Sequence, residues 1–328
     1  MLSYIIKRLI YMVFTIAFIS VVSFIVIQLP PGDYLTTMIS QMEAQGDVVS
    51  AELEAALRVR YGLDQPMHKQ YFTWVTRILT RLDFGYSFAY NQPVRNLLGD
   101  RLLMTMAVSA SAMLFAWIVA FPIGIISAVK QYSLFDYFST FLGFLGMATP
   151  SFLLALVLLW VCYQVFGTNA SGLFSQEFIN APWSMARVGD MLSRIWLPMI
   201  VGGFQSAAGL IRTLRANMLD ELRKPYVTTA KAKGLANAFL IIKYPVRIAI
   251  NPFLSSVAWM FPQLISGMSI TGIVLNLPTL GPLLLNSLQN QDMYLAGSVV
   301  LILSVLTVTG TLVSDLLLAW VDPRIRYQ

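Results

Sequence analysis

The residues best suited to chemistry in this chain are arranged for recognition rather than for bond-making. Tyr226–Gly234 reads YVTTAKAKG: two lysines, Lys231 and Lys233, alternate with Ala230 and Ala232 and are followed by Gly234. Ala and Lys favour a helix, and a glycine placed after them suits a left-handed helix end. The stretch sits in the most basic run of the chain, Arg212 to Arg247, where Arg212, Arg215, Arg223, Lys224, Lys231, Lys233, Lys243 and Arg247 face only Asp220 and Glu221. A short cationic helix at a membrane surface could dock a soluble partner, or it could be a solvated loop that only sets topology. A second group is neutral: Gln263, Ser266 and Ser269 recur at a spacing of three and so approximately share a helix face. Gln205 and Ser206 form a weaker group of the same kind. Such side chains either line the path of a solute or hydrogen-bond helix to helix. Asp315, near the end of the last apolar segment, meets headgroups, the basic tail or a partner helix, with a transport role as the alternative.

What is missing narrows the chemistry further. The sequence contains no G-x-x-x-x-G-K-[ST] phosphate loop, no H-E-x-x-H and no G-x-S-x-G. ATP hydrolysis by a phosphate loop is thereby excluded from this chain, and no cofactor of its own is expected. Cys162 is the only cysteine and His68 the only histidine, so an intramolecular disulfide is impossible and a conventional zinc or haem site is not expected. Charges are nearly absent from the apolar segments, so no buried proton relay of the kind used by ion-driven pumps is visible.

Composition explains that scarcity. Apolar residues make up 57% of the chain and charged residues 12%, with a mean hydropathy of +0.69. About 25% charged residues is usual for a soluble domain, so this chain belongs in a bilayer. The net charge of +6 is distributed by side: 13 of the 22 Lys and Arg, beginning with Lys7 and Arg8, fall in segments placed in the cytoplasm. This is the positive-inside bias, and it argues against nucleic acid as the partner.

The elements that must position these residues read as an all-α membrane protein with six transmembrane helices. The first span runs from about Leu9 to Leu29 and is stopped by Pro30-Pro31-Gly32-Asp33; it is too long for a signal-peptide core and no Ala-x-Ala site follows. Residues 34–100 form a small extracytoplasmic insert, with helices expected at Ala51–Tyr61 and Gln70–Leu82 and a packed turn at Phe84–Phe88. The remaining five spans, at 104–129, 137–166, 195–214, 248–275 and 295–320, make a core over 101–328. The cytoplasmic loop 216–247 lies between the fourth and fifth spans. Pro122, Pro150 and Pro262 are expected to kink their helices. Both termini then lie in the cytoplasm.

YVTTAKAKGL resembles the cytoplasmic coupling-loop motif of ABC importer permeases, in the form used by the dipeptide/oligopeptide/nickel group. The resemblance covers nearly the whole chain. MLSYIIKRLIYM and PPGD resemble that group's start, while YGLDQP, QYFTWV, DFGYSF and QPV resemble its extracytoplasmic signature. TLGPLL and VDPRIR fit its end. The broad consensus opens with Glu-Ala-Ala; here Thr228, Thr229 and Ala230 fill those places, as is usual in the peptide branch. Many relatives read His-Ala-Leu-Arg-Asn where this chain has Tyr244-Pro245-Val246-Arg247-Ile248, and Pro245 is expected to shift the second short helix of the loop.

The resemblance implies a type I importer permease fold and a coupling loop carried by Tyr226, Thr229, Ala230, Lys231, Ala232, Lys233 and Gly234. It implies four partners besides lipid: a second permease, two ATPase subunits that bind the ATP and magnesium, and an extracytoplasmic solute-binding protein that delivers the solute. It implies the bacterial or archaeal inner membrane, and peptides or similar solutes such as oligosaccharides. An autonomous secondary transporter, or a scaffold without ATP coupling, is the alternative.

Overall fold

The structure, a computed structural model, describes residues 2–28, 39, 59, 64–179 and 181–321. The chain is mainly helical. It begins with α1 (Leu2–Gln28) and α2 (Met67–Arg81), followed by a hairpin of β1 (Tyr86–Ser87) and β2 (Gln92–Pro93). Next come α3 (Val94–Val129), α4 (Leu134–Ala148), α5 (Ser151–Phe166), α6 (Met185–Arg194) and α7 (Trp196–Leu222). Three short helices follow, α8 (Pro225–Ala232), α9 (Asn237–Lys243) and α10 (Pro245–Ala249). The described chain closes with α11 (Asn251–Val274), α12 (Leu280–Gln289) and α13 (Met293–Val321). The expected helix at Ala51–Tyr61, the Pro30–Asp33 stop and the basic tail Asp322–Gln328 lie outside the described residues.

Among the described residues, three helical segments are long and apolar enough to cross a membrane: Ile5–Ile25, Val94–Val129 and Met293–Leu316. Helices α4 and α5 would make a fourth span if counted together, but they meet at 106°. The kink expected at Pro150 in the span over 137–166 is thus a full break into two helices. At about 1.5 Å per residue, neither half reaches the roughly 30 Å of a hydrocarbon core. The cause is Pro150. The residue before a proline is pushed out of the helical region, and Thr149 is extended at φ −86° and ψ 119°. Pro122, by contrast, lies inside an unbroken α3. The expected fourth span lies within α7, which is long enough to cross but is not among the segments apolar enough to do so. The expected fifth is divided between α10 and α11.

The chain forms two compact units. The larger comprises residues 106–277 with the described ends of the chain, and α7 is packed there by α4, α5, α10 and α11. Its core gathers Leu210, Leu214 and Met218 of α7 with Ala116 and Ala120 of α3 and with Phe253 and Met260 of α11. Small residues let backbones approach: Ala112, Ala116, Ala120, Gly124 and Ala128 recur every fourth residue along one buried stripe of α3. Opposite it stands Gly203, where a Cβ would fall 2.5 Å from the Ala112 carbonyl oxygen and 2.7 Å from the Phe115 ring. Elsewhere in this unit Arg187 is buried between the rings of Phe174 (4.7 Å) and Trp183 (4.5 Å). Its guanidinium donates to the carbonyls of Ala181 and Ile179. That stack orders the segment between α5 and α6.

The smaller unit comprises the described residues of 7–105 together with 278–308. Val94, Leu97 and Leu98 of α3 pack there with Leu280, Leu283, Leu295 and Val299, and Phe24 of α1 packs with Trp74 and Ile78 of α2. The expected helix at Gln70–Leu82 is α2, and the expected packed turn is the hairpin, in which Ser87 and Phe88 are buried. Asp292 anchors it. One carboxylate oxygen accepts from Ser87 Oγ (2.6 Å) and the Ala89 amide (3.2 Å), and the other caps α13 at the Leu295 amide (3.2 Å). Burial still pushes this carboxyl above its ordinary value, because desolvation outweighs those hydrogen bonds.

The close approach at Gly203 predicts an asymmetric response to added methyl groups. Gly203→Val must push α3 away and should destabilise the protein by about 1–3 kcal/mol. Gly209→Ala, where a Cβ meets nothing within 4 Å, should be neutral or gain up to about 1 kcal/mol from helix propensity. Thermal unfolding of both variants in detergent would decide, and equal effects would remove the close approach from the account.

Candidate functional site

Local sequence builds the 224–249 region. Lys224 is extended ahead of Pro225, which opens α8 at the position where a missing N–H costs nothing. Val227 and Ala230, three residues apart, turn inward onto Leu240 of α9, with Leu235 and Ile241 around them. Gly234 ends the helix at φ +77°. Its amide donates to the Lys231 carbonyl (2.9 Å) and the Leu235 amide to the Ala230 carbonyl (3.4 Å). This is the paired left-handed cap that the glycine foreshadows, with Leu235 making the apolar contact that accompanies it.

The seven residues expected to form the loop site thus divide. Ala230 is buried and Tyr226 half-buried, so both hold the element together; Thr229, Lys231, Ala232, Lys233 and Gly234 are exposed. Thr229 Oγ1 donates back to the Pro225 carbonyl (3.1 Å). Tyr226 donates its hydroxyl to Glu221 Oε2 (2.6 Å), tying α8 to the last turn of α7. Burial first, and the Glu221 carboxylate second, push this phenol well above its ordinary value, so it stays a donor across the physiological range.

Beside α8 lies a cleft of about 490 Å³ whose lining includes Tyr226, Lys233, Lys243, Tyr244 and Arg247. Its far wall was not evident in the sequence, because it depends on how Pro245 acts. Tyr244 leaves α9 at φ −114° and ψ −75°, and Pro245 starts the separate helix α10. The expected displacement of the second short helix is therefore a division into two.

Sequence reading also missed the strongest polar contact of the larger unit. Arg215 of α7 grips Asp136 of α4 with two hydrogen bonds, Nε to Oδ1 at 2.6 Å and a terminal nitrogen to Oδ2 at 2.7 Å. Ser127 Oγ and the Tyr132 amide complete the carboxylate's partners. The Asp136 side chain is 3% exposed and that of Arg215 25%. The available signal was an acid in the short turn between two apolar segments, 79 residues from its partner.

The neutral polar group is less unified. Gln205 and Gln263 are exposed, Ser269 half-buried and Ser206 buried. Ser266 shares α11 with Gln263 and Ser269. α7 and α11 cross where Gly202 faces Met268, and α5 joins α11 through the Ser151–Thr271 hydroxyl pair (2.9 Å), which the sequence reading did not single out.

Two adjoining family matches cover almost the entire chain. Residues 120–327 match the binding-protein-dependent transport system inner membrane component, and residues 1–109 match the N-terminal part of such membrane components. The chain belongs to this family. Among its relatives are the oligopeptide transport system permease protein AppB of Bacillus subtilis and the dipeptide transport system permease protein DppB of Alkalihalophilus pseudofirmus. They are 32% and 29% identical to it, over all of both chains in each case. The glutathione transport system permease protein GsiC of Salmonella typhimurium is 30% identical, again end to end. The ABC importer permease resemblance read from YVTTAKAKGL is thus the family of the chain, a multi-pass component of the inner membrane.

The buried pair yields a prediction of its own. Arg215→Met strands a carboxylate and should cost about 3–5 kcal/mol. Adding Asp136→Asn to it should restore part of that loss, because no charge is then left unpaired. A double-mutant cycle by thermal unfolding in detergent would test this; simple additivity would mean that the two groups act independently.

Proposed function

We propose that this chain is the permease subunit of an ATP-driven, binding-protein-dependent importer and forms half of the translocation pathway for peptides or similar solutes. The observation that carries the reading is the end-to-end match to peptide-type permeases, in a chain whose basic loop folds into a compact, capped helix. The names of three relatives specify oligopeptides, dipeptides and glutathione, which favours peptides over oligosaccharides as the solute.

In this reading the exposed face of α8, Thr229, Lys231, Ala232, Lys233 and Gly234, meets an ATPase subunit in the cytoplasm. Val227 and Ala230 keep that face rigid against α9, and Arg215 with Asp136 joins the helix that carries it to α4. A second permease completes the pathway, two ATPase subunits hold ATP and magnesium, and a solute-binding protein loads the opposite side. The hairpin and α2 belong to the extracytoplasmic face where that protein docks. Six membrane passages, with the bent α4–α5 pair counted as one, place both termini in the cytoplasm. Gln205, Gln263, Ser266 and Ser269 are the proposed pathway lining.

Purification of the tagged chain in mild detergent from its native membrane, with partners identified by mass spectrometry, tests the assembly. A second permease and ATPase subunits should be recovered; recovery of the chain alone, under conditions that preserve other membrane complexes, would favour an autonomous carrier or a scaffold. Gly234→Asp tests the loop. A Cβ at Gly234 meets no atom of this chain within 4 Å, so the internal penalty is the positive φ alone, about 1–2 kcal/mol. The variant should insert at normal levels yet lose uptake, because the new side chain and charge stand on the partner-facing surface. Normal uptake by a well-expressed variant would remove α8 from coupling.

A further inference from the structure

The cleft beside α8 carries a chemical imbalance that points to its occupant. Lys233, Lys243 and Arg247 all line it. Tyr226 and Tyr244 give it aromatic surface, their ring centroids 6.3 Å apart. Lys243 is held in place, its Nζ lying 5.1 Å from the centre of the Phe239 ring and 5.6 Å from that of Tyr244. Glu221, the carboxylate beside this cleft, already accepts the hydroxyl of Tyr226. Among the described residues none of the three cations has an ion-pair partner. All three are exposed, so their charges are open to a partner.

We propose that this cleft receives a carboxylate-bearing segment of the ATPase subunit, with an Asp or Glu side chain seated against Lys243 and Arg247 and its stem against the tyrosine rings. The proposal rests on the importer reading and adds to it the polarity of the contact: cations on the permease, an acid on the ATPase. A guanidinium and an ammonium converging on one carboxylate give short, charge-assisted hydrogen bonds. Lys233, which lines the cleft, also stands on the exposed face of α8 that the importer reading turns toward the ATPase, so the cleft continues that contact. Here the charges are set in a cleft between short helices, walled partly by Leu235 and Ile248.

Carbodiimide coupling joins an amine to a carboxylate only when the two touch, with loss of water and no spacer. Applied to the full complex in detergent, it should link Lys243 or Lys233 to an Asp or Glu of the ATPase, located by mass spectrometry of the joined peptides. In the Lys243→Glu Arg247→Glu variant, ATPase recovery should fall at least about tenfold while recovery of the second permease is unchanged. An intact complex in which neither lysine is linked, or is linked only to Glu221 of its own chain, overturns the proposal. So does a variant that keeps its ATPase and instead loses bound anionic phospholipid, an outcome that assigns the cleft to headgroups. Failure of the unaltered chain to recover any ATPase overturns the importer reading itself, a result distinguishable from all the others.

Discussion

A guanidinium closed on a buried carboxylate is the contact on which the larger unit is built. Asp136, its side chain 3% exposed, uses both oxygens to hold Arg215, and a charge so buried is costly to leave without its partner. Ser127 and the Tyr132 amide satisfy the remaining acceptor capacity. The pair therefore fixes three things at once: the turn after α3, the start of α4 and the rotation of α7 about its axis. α7 then runs on to Glu221, whose carboxylate orients Tyr226 and hence α8. Three charged groups and one phenol thus connect the packed helices to the short cationic element.

Close packing supplies what that pair cannot. Along α3 the alanines and Gly124 leave room for α7, and Gly203 removes the one side chain that would strike the Ala112 carbonyl. Dispersion at short range then substitutes for the hydrophobic effect, which has little force between helices already in an apolar solvent. The smaller unit uses a different device. Asp292 gathers the hairpin and the start of α13 on one carboxylate, and its hydrogen bonds offset part of its burial cost.

How much of this was legible in the sequence depends on the range of each interaction. The end of α8 was readable because a glycine after the last turn acts within a few residues; Pro225 at its start is an equally local signal that the reading did not use. α2 and the hairpin were readable for the same reason. The Asp136–Arg215 pair was not, since nothing local marks two residues 79 apart as partners. The alanine stripe was present at a spacing of four, yet attention to polar side chains passes over it. How sharply the third span turns at Pro150 was not readable, because a proline in an apolar segment can leave a helix unbroken, as at Pro122, or end it, as at Thr149. α7 was expected as a span over 195–214, yet it is less apolar than the other long helices, as a helix surrounded by protein need not be apolar all round.

The corner between α4 and α5 has a consequence for motion. A straight helix must give up ladder hydrogen bonds to change its direction, and in a medium without water each lost bond is expensive. At this corner the ladder is already interrupted: Pro150 has no N–H, and the Thr149 amide is bound to Leu145 on its own side. The angle between the two halves can therefore vary while each keeps its internal bonds. The Ser151–Thr271 hydroxyl contact, which can re-form with small adjustments, is what ties the second half to α11 near the joint. A preformed joint of this kind lets a helix pair yield where a continuous rod would resist.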